Sequence, residues 1–366
     1  MLFGHGGDVY SIAKKLGINP YEVLDFSSNC SPLPYPEELH DYLCKNIHQM
    51  HLLPEVDSLT IRSLLAKRYN LSEKNFLIGS GTTQWIFALP RLLKPKKAII
   101  SLPTYADYED ASMASDIDLI YIGPFPSGSK KDTVQLIDSL NKLKKSETSN
   151  AIIFLCNPNN PTGLFIKPDE LIEIINQKPD NLTWIIDEAY APFVAPDEES
   201  SILTKNFPEN VIILRSFSKI YGIPGLRVGC LVSKGTIIDK LWKELRPWSV
   251  NRMAQLCVEF FLKNIDFEDK VRNYCQNEKS FLIDEISSKI SSIKYIPGKC
   301  HFALFKLEKP LSASFIQKGL EKAGILIRNC HNFKGLKGEF IRISPRMHKD
   351  NLKLIREMEN LCNNSV

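Results

Sequence analysis

The sequence predicts an α/β fold: a large lobe built on a mostly parallel sheet flanked by helices, followed by a smaller α+β lobe at the C-terminal end. Three observations predict it. Short apolar runs at residues 151–155, 183–186 and 211–214 alternate with amphipathic helical stretches, the pattern of a mostly parallel sheet. The runs are nearly continuously apolar rather than apolar at every second residue, as expected of strands buried on both faces. Each is followed within a few residues by a polar cluster, the place where open α/β sheets bind ligands. At 366 residues the chain can bury a large core and divide into lobes.

Taken in order, residues 1–40 read as an arm and connector, 41–250 as the large domain and 251–366 as the small one. The arm holds His5-Gly6-Gly7-Asp8-Val9-Tyr10 and Leu24-Asp25-Phe26-Ser27-Ser28-Asn29. Residues 58–65 read as a helix. Gly79-Ser80-Gly81-Thr82-Thr83 reads as a turn opening a helix, whose free N–H groups and dipole favour an anion. Gly, Pro and Ser make 123–131 a loop. Pro168, Asp169 and Glu170 suit the first turn of a helix over 168–175. In the C-terminal lobe, helical patterning runs from Met253, residues 301–305 read as a strand, Arg328 ends another apolar strand, and Arg342 lies in the strand-like Phe340-Ile341-Arg342-Ile343-Ser344. A helix rich in Leu, Ile and Lys closes the chain.

Three of the polar clusters carry chemistry. In Arg215-Ser216-Phe217-Ser218-Lys219-Ile220-Tyr221-Gly222-Ile223-Pro224-Gly225-Leu226-Arg227, a lysine at the end of a buried strand is partly desolvated, which frees its amine to attack a carbonyl. Two hydroxyls and Arg227 suit a phosphate monoester. A carbonyl cofactor that carries a phosphate is pyridoxal phosphate. Asp187, in Asp187-Glu188-Ala189-Tyr190, suits a partner for the pyridine nitrogen, which makes the ring an electron sink. Asn160, in Asn157-Pro158-Asn159-Asn160-Pro161-Thr162-Gly163, and Tyr190 are able to hydrogen-bond the ring hydroxyl.

With these motifs, the chain resembles the aspartate-aminotransferase-like superfamily of pyridoxal-phosphate enzymes, fold type I, over nearly its whole length. The resemblance implies Lys219 as the Schiff-base lysine and Asp187 as the acid at the pyridine nitrogen. It implies Asn160 and Tyr190 at the ring oxygen, and Tyr105 stacked on the ring. It places Ser216, Ser218 and Arg227 at the phosphate, with Gly81, Thr82 and Thr83 beneath it. Such enzymes are homodimers with the site at the subunit interface.

Within the superfamily, the His-Gly-Gly arm, Asp25-Phe26-Ser27-Ser28-Asn29, Pro247-Trp248-Ser249-Val250-Asn251 and Ile325-Leu326-Ile327-Arg328-Asn329-Cys330 resemble the L-threonine-O-3-phosphate decarboxylases of cobalamin biosynthesis. That resemblance implies substrate contacts from His5, Gly6, Asn29, Asn160, Arg328 and Arg342, and decarboxylation of L-threonine O-3-phosphate or L-serine O-phosphate to an amino-alcohol phosphate. Planar bidentate donation from arginine suits the substrate carboxylate. The histidinol-phosphate aminotransferases come next: they share the core motifs and Arg342 and usually lack the arm. A third reading, of another class, is a non-catalytic cofactor-binding homologue. Arg346 fits either the site or the surface. One departure stands out: relatives carry a Tyr that reaches the neighbouring subunit's cofactor phosphate, and Leu53 occupies its place.

Composition agrees with a globular enzyme, at 43% hydrophobic and 24% charged. The net charge of +4 does not argue for nucleic acid, and the basic runs at 94–97 and 142–145 read as solvated surface. Nine scattered cysteines with no C-x-x-C pair suit a reducing cytoplasm and give no zinc pattern. The first residues do not read as a signal peptide, and no apolar run has the length of a membrane span.

Overall fold

The computed structural model describes residues 5–125, 130–178, 181–194 and 199–363. In chain order its strands are β1 Leu24–Asp25, β2 Phe76–Gly79, β3 Lys97–Ser101, β4 Asp118–Ile122, β5 Ala151–Cys156, β6 Leu182–Asp187, β7 Val211–Ser216, β8 Gly229–Val232, β9 Ile293–Ile296, β10 Ala303–Leu307, β11 Ile325–Leu326, β12 Arg328–Asn329 and β13 Glu339–Ile343. Seven form one sheet in the order β2-β8-β7-β6-β5-β3-β4. The pairs from β7 through β6, β5 and β3 to β4 are parallel, and β8 runs antiparallel to both its neighbours. Every residue of β5 is buried, and β6 and β7 each have one partly exposed position. Both faces are therefore covered, and each buried Ile, Leu, Val or Phe contributes about 1.5–3 kcal/mol. That is why these strands show no polar alternation.

Helices pack on the sheet for reasons visible locally. Pro168–Asn176 starts with Pro in its first turn and has Asp169 and Glu170 there, while Leu171, Ile174 and Ile175 face the core. The register sets Cys156 of β5, Asp187 of β6 and Leu214 of β7 side by side, so the carboxyl ends of the central strands open on one edge. Gly229 of β8 lies between Gly79 of β2 and Ser216 of β7.

A second, antiparallel sheet has the order β12-β13-β10-β9. Its core includes Phe26, Leu282, Ile286, Phe305, Ile316, Ile341 and Leu354. The long helix Asp266–Lys289 serves both cores: Val271 and Cys275 join the large one, Leu282 and Ile286 the smaller. The helix Arg252–Lys263, just after the boundary expected at 250, packs Ala254, Val258 and Phe261 into the large core. β1 pairs in parallel with β11, and Phe26 is fully buried, so the segment after the arm is knitted to the C-terminal part.

Three local expectations are corrected. Arg328 does not end one continuous strand. The chain breaks at Ile327 because β11 gives its edge to β1 while β12 turns to β13, so Arg328 begins a separate strand. The loop expected over 123–131 ends sooner: Lys130–Asn141 is helical, with Leu136 and Leu140 buried one turn apart, and 126–129 lie outside the described residues. The strand expected at 301–305 starts at Ala303, because the His301 ring stacks on Phe193, with centroids 3.7 Å apart.

Candidate active site

One end of the site is made where β2 runs into the helix Gly81–Leu93. The first N–H groups of a helix have no partner inside it. Gly81 has φ +75°, and a Cβ there would sit 2.8 Å from Arg227 Nη2; a Cβ on Gly229 would sit 3.0 Å from the Thr82 N. The two glycines thus let Arg227 and β8 close on the helix start. Thr82, Thr83, Ser216, Ser218 and Arg227 all line the cavity, an arrangement suited to a phosphate.

In the middle stands Asp187, the last residue of β6 and 4% exposed. Its Oδ1 accepts the Ala189 N–H at 3.0 Å and its Oδ2 accepts the Tyr108 hydroxyl at 2.8 Å. Burial pushes its carboxyl above the ordinary value; the Tyr108 and Ala189 bonds and the Lys219 charge oppose that rise. Lys219 lies beyond the strand rather than at its end, because β7 continues to Ser216 and Lys219 occupies the one-turn helix Phe217–Ile220. It is half-buried, and its Nζ lies 3.9 Å from Cys30 Sγ. Tyr105 meets Tyr108 edge-on, with centroids 5.7 Å apart, and His5 at 5.8 Å.

The far end comes from the arm and the second sheet. Arg342, 4% exposed in β13, donates from Nη1 to Asn160 Oδ1 and from Nη2 to the Ser27 carbonyl at 2.7 Å. Its Nε is buried and has no partner among the described residues. Arg328 donates to the Asn329 carbonyl at 2.7 Å and to Asn332 Oδ1 at 2.6 Å, and lies 4.9 Å over the Phe333 ring. Burial and the Arg342 charge pull the Arg328 guanidinium down to about 10. Among the described residues no carboxylate pairs with either arginine. Asn29 accepts the Ser344 hydroxyl at 2.7 Å and donates to Tyr190 Oη at 3.1 Å. Its burial and two bonds show it to be part of a built network rather than a simple turn residue.

The arm closes over this end. Gly6 presses on Ser27, where a Cβ would come within 2.5 Å of the carbonyl oxygen, and the Gly7 N–H donates to Ser27 Oγ at 2.7 Å. His5 Nε2 is 3.5 Å from Asp107 Oδ1. Arg346 does not line the cavity. It donates to the carbonyls of Asp25, Ser28 (2.7 Å) and Cys30 (3.0 Å), and so shapes the segment that carries Asn29.

The structure brings every site residue expected from the sequence to the lining of one cavity of about 450 Å³. It adds Tyr108, Glu109, Asp110, Asn332, Phe333 and Lys334, which the motifs did not single out. Tyr108 stands in the first turn of the helix Asp107–Met113, just past Tyr105, which precedes that helix. Leu53 is 72% exposed, beside Met50, Leu52, Pro54 and Trp248, and does not line the cavity.

A cluster of phosphate donors beside two tight glycines, a buried acid and a lysine between them fit pyridoxal 5′-phosphate. The fold and site are those of a pyridoxal-phosphate enzyme. Residues 15–357 match the class I and II aminotransferases, and the chain belongs to that family; its cofactor is pyridoxal 5′-phosphate. It is 30% identical to threonine-phosphate decarboxylase of Salmonella typhimurium over 98% of this chain and 96% of that one. It is 32% identical to an adenosylcobalamin-biosynthesis bifunctional protein of Leptospira interrogans over 98% of this chain, but spans only 41% of that protein's length. The solved histidinol-phosphate aminotransferase of Clostridium acetobutylicum superposes with a TM-score of 0.80 at 25% identity, covering 93% of this chain and all of that one. Among the described residues no helix is long and apolar enough to cross a membrane, and no His, Cys, Asp and Glu group could hold a metal ion.

Proposed function

We propose that the protein decarboxylates L-threonine O-3-phosphate or L-serine O-phosphate to an amino-alcohol phosphate for the nucleotide loop of a cobamide. The observation that carries this reading is the second cationic end of the cavity. Arg328 and Arg342 stand close enough to perturb each other, neither has a carboxylate partner among the described residues, and Arg342 keeps a buried N–H unspent. A substrate with both a carboxylate and a phosphate supplies two anions to such an end. The likeness to threonine-phosphate decarboxylase along the whole chain supports the same choice.

When bound, the cofactor supplies an electron sink for the bond broken at the substrate's Cα. Thr82, Thr83, Ser216, Ser218 and Arg227 would hold its phosphate, Tyr105 would cover its ring, and Asn160 and Tyr190 would bond the ring oxygen. Asp187 would pair with the pyridine nitrogen. Lys219 would anchor the carbonyl, and its Nζ would move a proton at the substrate's Cα. Arg342 and Arg328 hold the substrate's anionic groups, with His5, Gly6 and Asn29 closing the pocket and excluding water. Whether the carboxylate or the hydrogen leaves Cα is set by the pose those residues impose. We also propose a homodimer with the site at its interface: exposed Ile47, Met50, Leu52, Leu53, Val56 and Trp248 form an apolar surface suited to a second copy.

The test is direct. With L-threonine O-3-phosphate or L-serine O-phosphate and no keto acid, the protein should release carbon dioxide. If neither substrate does so while histidinol phosphate and 2-oxoglutarate give glutamate, the protein is an aminotransferase. If no substrate turns over with the cofactor bound, the non-catalytic reading replaces both.

A further inference from the structure

We propose that Tyr108 is a positioning residue for Asp187: its hydroxyl, with the Ala189 N–H, fixes the acid's orientation at the cavity. The inference rests on the reading of Asp187 as the partner of the pyridine nitrogen.

The geometry leaves Tyr108 little else to do. It is fully buried in the first turn of the helix Asp107–Met113. One face of its ring stacks on Phe154 of β5, with centroids 4.9 Å apart and planes within 10°. Tyr105 abuts it at 82°. The ring is thus clamped, and its hydroxyl reaches Asp187 Oδ2 at 2.8 Å. Burial and the Asp187 charge push the Tyr108 phenol well above its ordinary value, so it remains a donor at any working pH. One residue therefore braces both the acid and the ring expected to cover the cofactor.

The groups that face Asp187 set the sign of the effect. They are Tyr108 and Asp107 from the same helix, Lys219 from the helix Phe217–Ile220, Cys156 from β5, and Tyr105. Burial and Asp107 favour the neutral acid; Tyr108, the Ala189 N–H and Lys219 favour the carboxylate. Removing the Tyr108 hydroxyl takes away a donor to the charged form, so Asp187 takes up its proton at higher pH. A neutral Asp187 holds a pyridinium poorly, and affinity for pyridoxal phosphate is then lost sooner on acidification.

The experiment titrates pyridoxal phosphate into the full-length protein, stripped of cofactor, across a pH series for the wild type, Tyr108→Phe and Asp187→Asn. Tyr108→Phe should move the acid limb of the affinity profile upward by about one pH unit or more, the tenfold that a hydrogen bond to a charged group carries. Affinity at the alkaline end should stay as in the wild type, which a merely structural defect would not spare. Placing 3-fluorotyrosine at position 108, a stronger donor of the same shape, should move the limb downward, and serves as well should the Phe variant melt early. An unmoved limb in both, with Asp187→Asn abolishing it, overturns the role of Tyr108 and leaves Asp187 standing. A wild-type limb in Asp187→Asn overturns the assignment of Asp187 itself.

Discussion

The two ends of the cavity are built from the chain in different ways. At the phosphate end and in the middle, each group sits at or within a few residues of a strand end: Gly81 to Thr83 after β2, Asp187 at the end of β6, Ser216 at the end of β7 with Ser218 and Lys219 just beyond it. The sheet delivers these clusters because its parallel strands stop level with one another. At the arginine end, the groups come from residues 5, 6, 29, 328 and 342, and are joined by bonds such as Arg342 to Ser27 that span 315 residues. The first end is positioned by the large sheet alone. The second exists only once the arm, β1 and the second sheet have docked on one another. Closing segments so far apart in the chain carries a loop-closure cost, and an end built that way is the part best placed to differ between relatives of one fold.

If the ends have separate duties, changing them should separate cofactor affinity from substrate handling. The largest effect belongs to the lysine that serves both. Lys219→Ala should lower carbon dioxide release by at least roughly 10²–10⁴-fold, the range for a positioned proton-transfer group, and borohydride reduction should label no other lysine. Arg342→Ala should follow. Losing a buried charged partner at the substrate costs about 2–5 kcal/mol in kcat/KM, with pyridoxal-phosphate affinity nearly unchanged. Equal losses of cofactor and substrate binding in that variant would erase the distinction between the ends.

Asn29→Ala tests the seam between them. It removes the bonds to Ser344 and Tyr190, both buried, and should lower stability by about 1–3 kcal/mol in denaturant unfolding, with a raised KM. The smallest change is expected of Arg227→Ala. Arg227 is exposed, and the helix start still offers its N–H groups. Cofactor affinity should fall about tenfold while KM for the phosphorylated amino acid holds, and a raised KM with intact cofactor affinity would reverse the roles assigned to the two ends.

The same division separates what was legible from what was not. Asp187, Lys219 and Asn160 were legible because an apolar run, its end and the polar turn after it are neighbours in the chain. The arm residues His5 and Gly6 were reached through resemblance: a histidine and glycines near a terminus carry little pattern of their own, and the need for Gly6 shows only in its contact with Ser27. Arg346 fitted either site or surface until its donations to three carbonyls of residues 25–30 placed it behind the site. The loop expected over 123–131 overlaps the first turn of the helix Lys130–Asn141, because Gly, Pro and Ser carry a loop signal up to that point.

By itself, the sequence determined the parallel strands, the polar turns at their ends and the lysine and acid those turns carry. These depend on hydrophobic runs and turn chemistry, which act over a few residues. Only the tertiary structure decided that β11 and β12 part at Ile327, that Tyr108 meets Asp187, and that two arginines face one cavity with no carboxylate paired to either among the described residues. Those outcomes depend on which surfaces dock, and docking is set by the packing of the whole chain rather than by any segment of it.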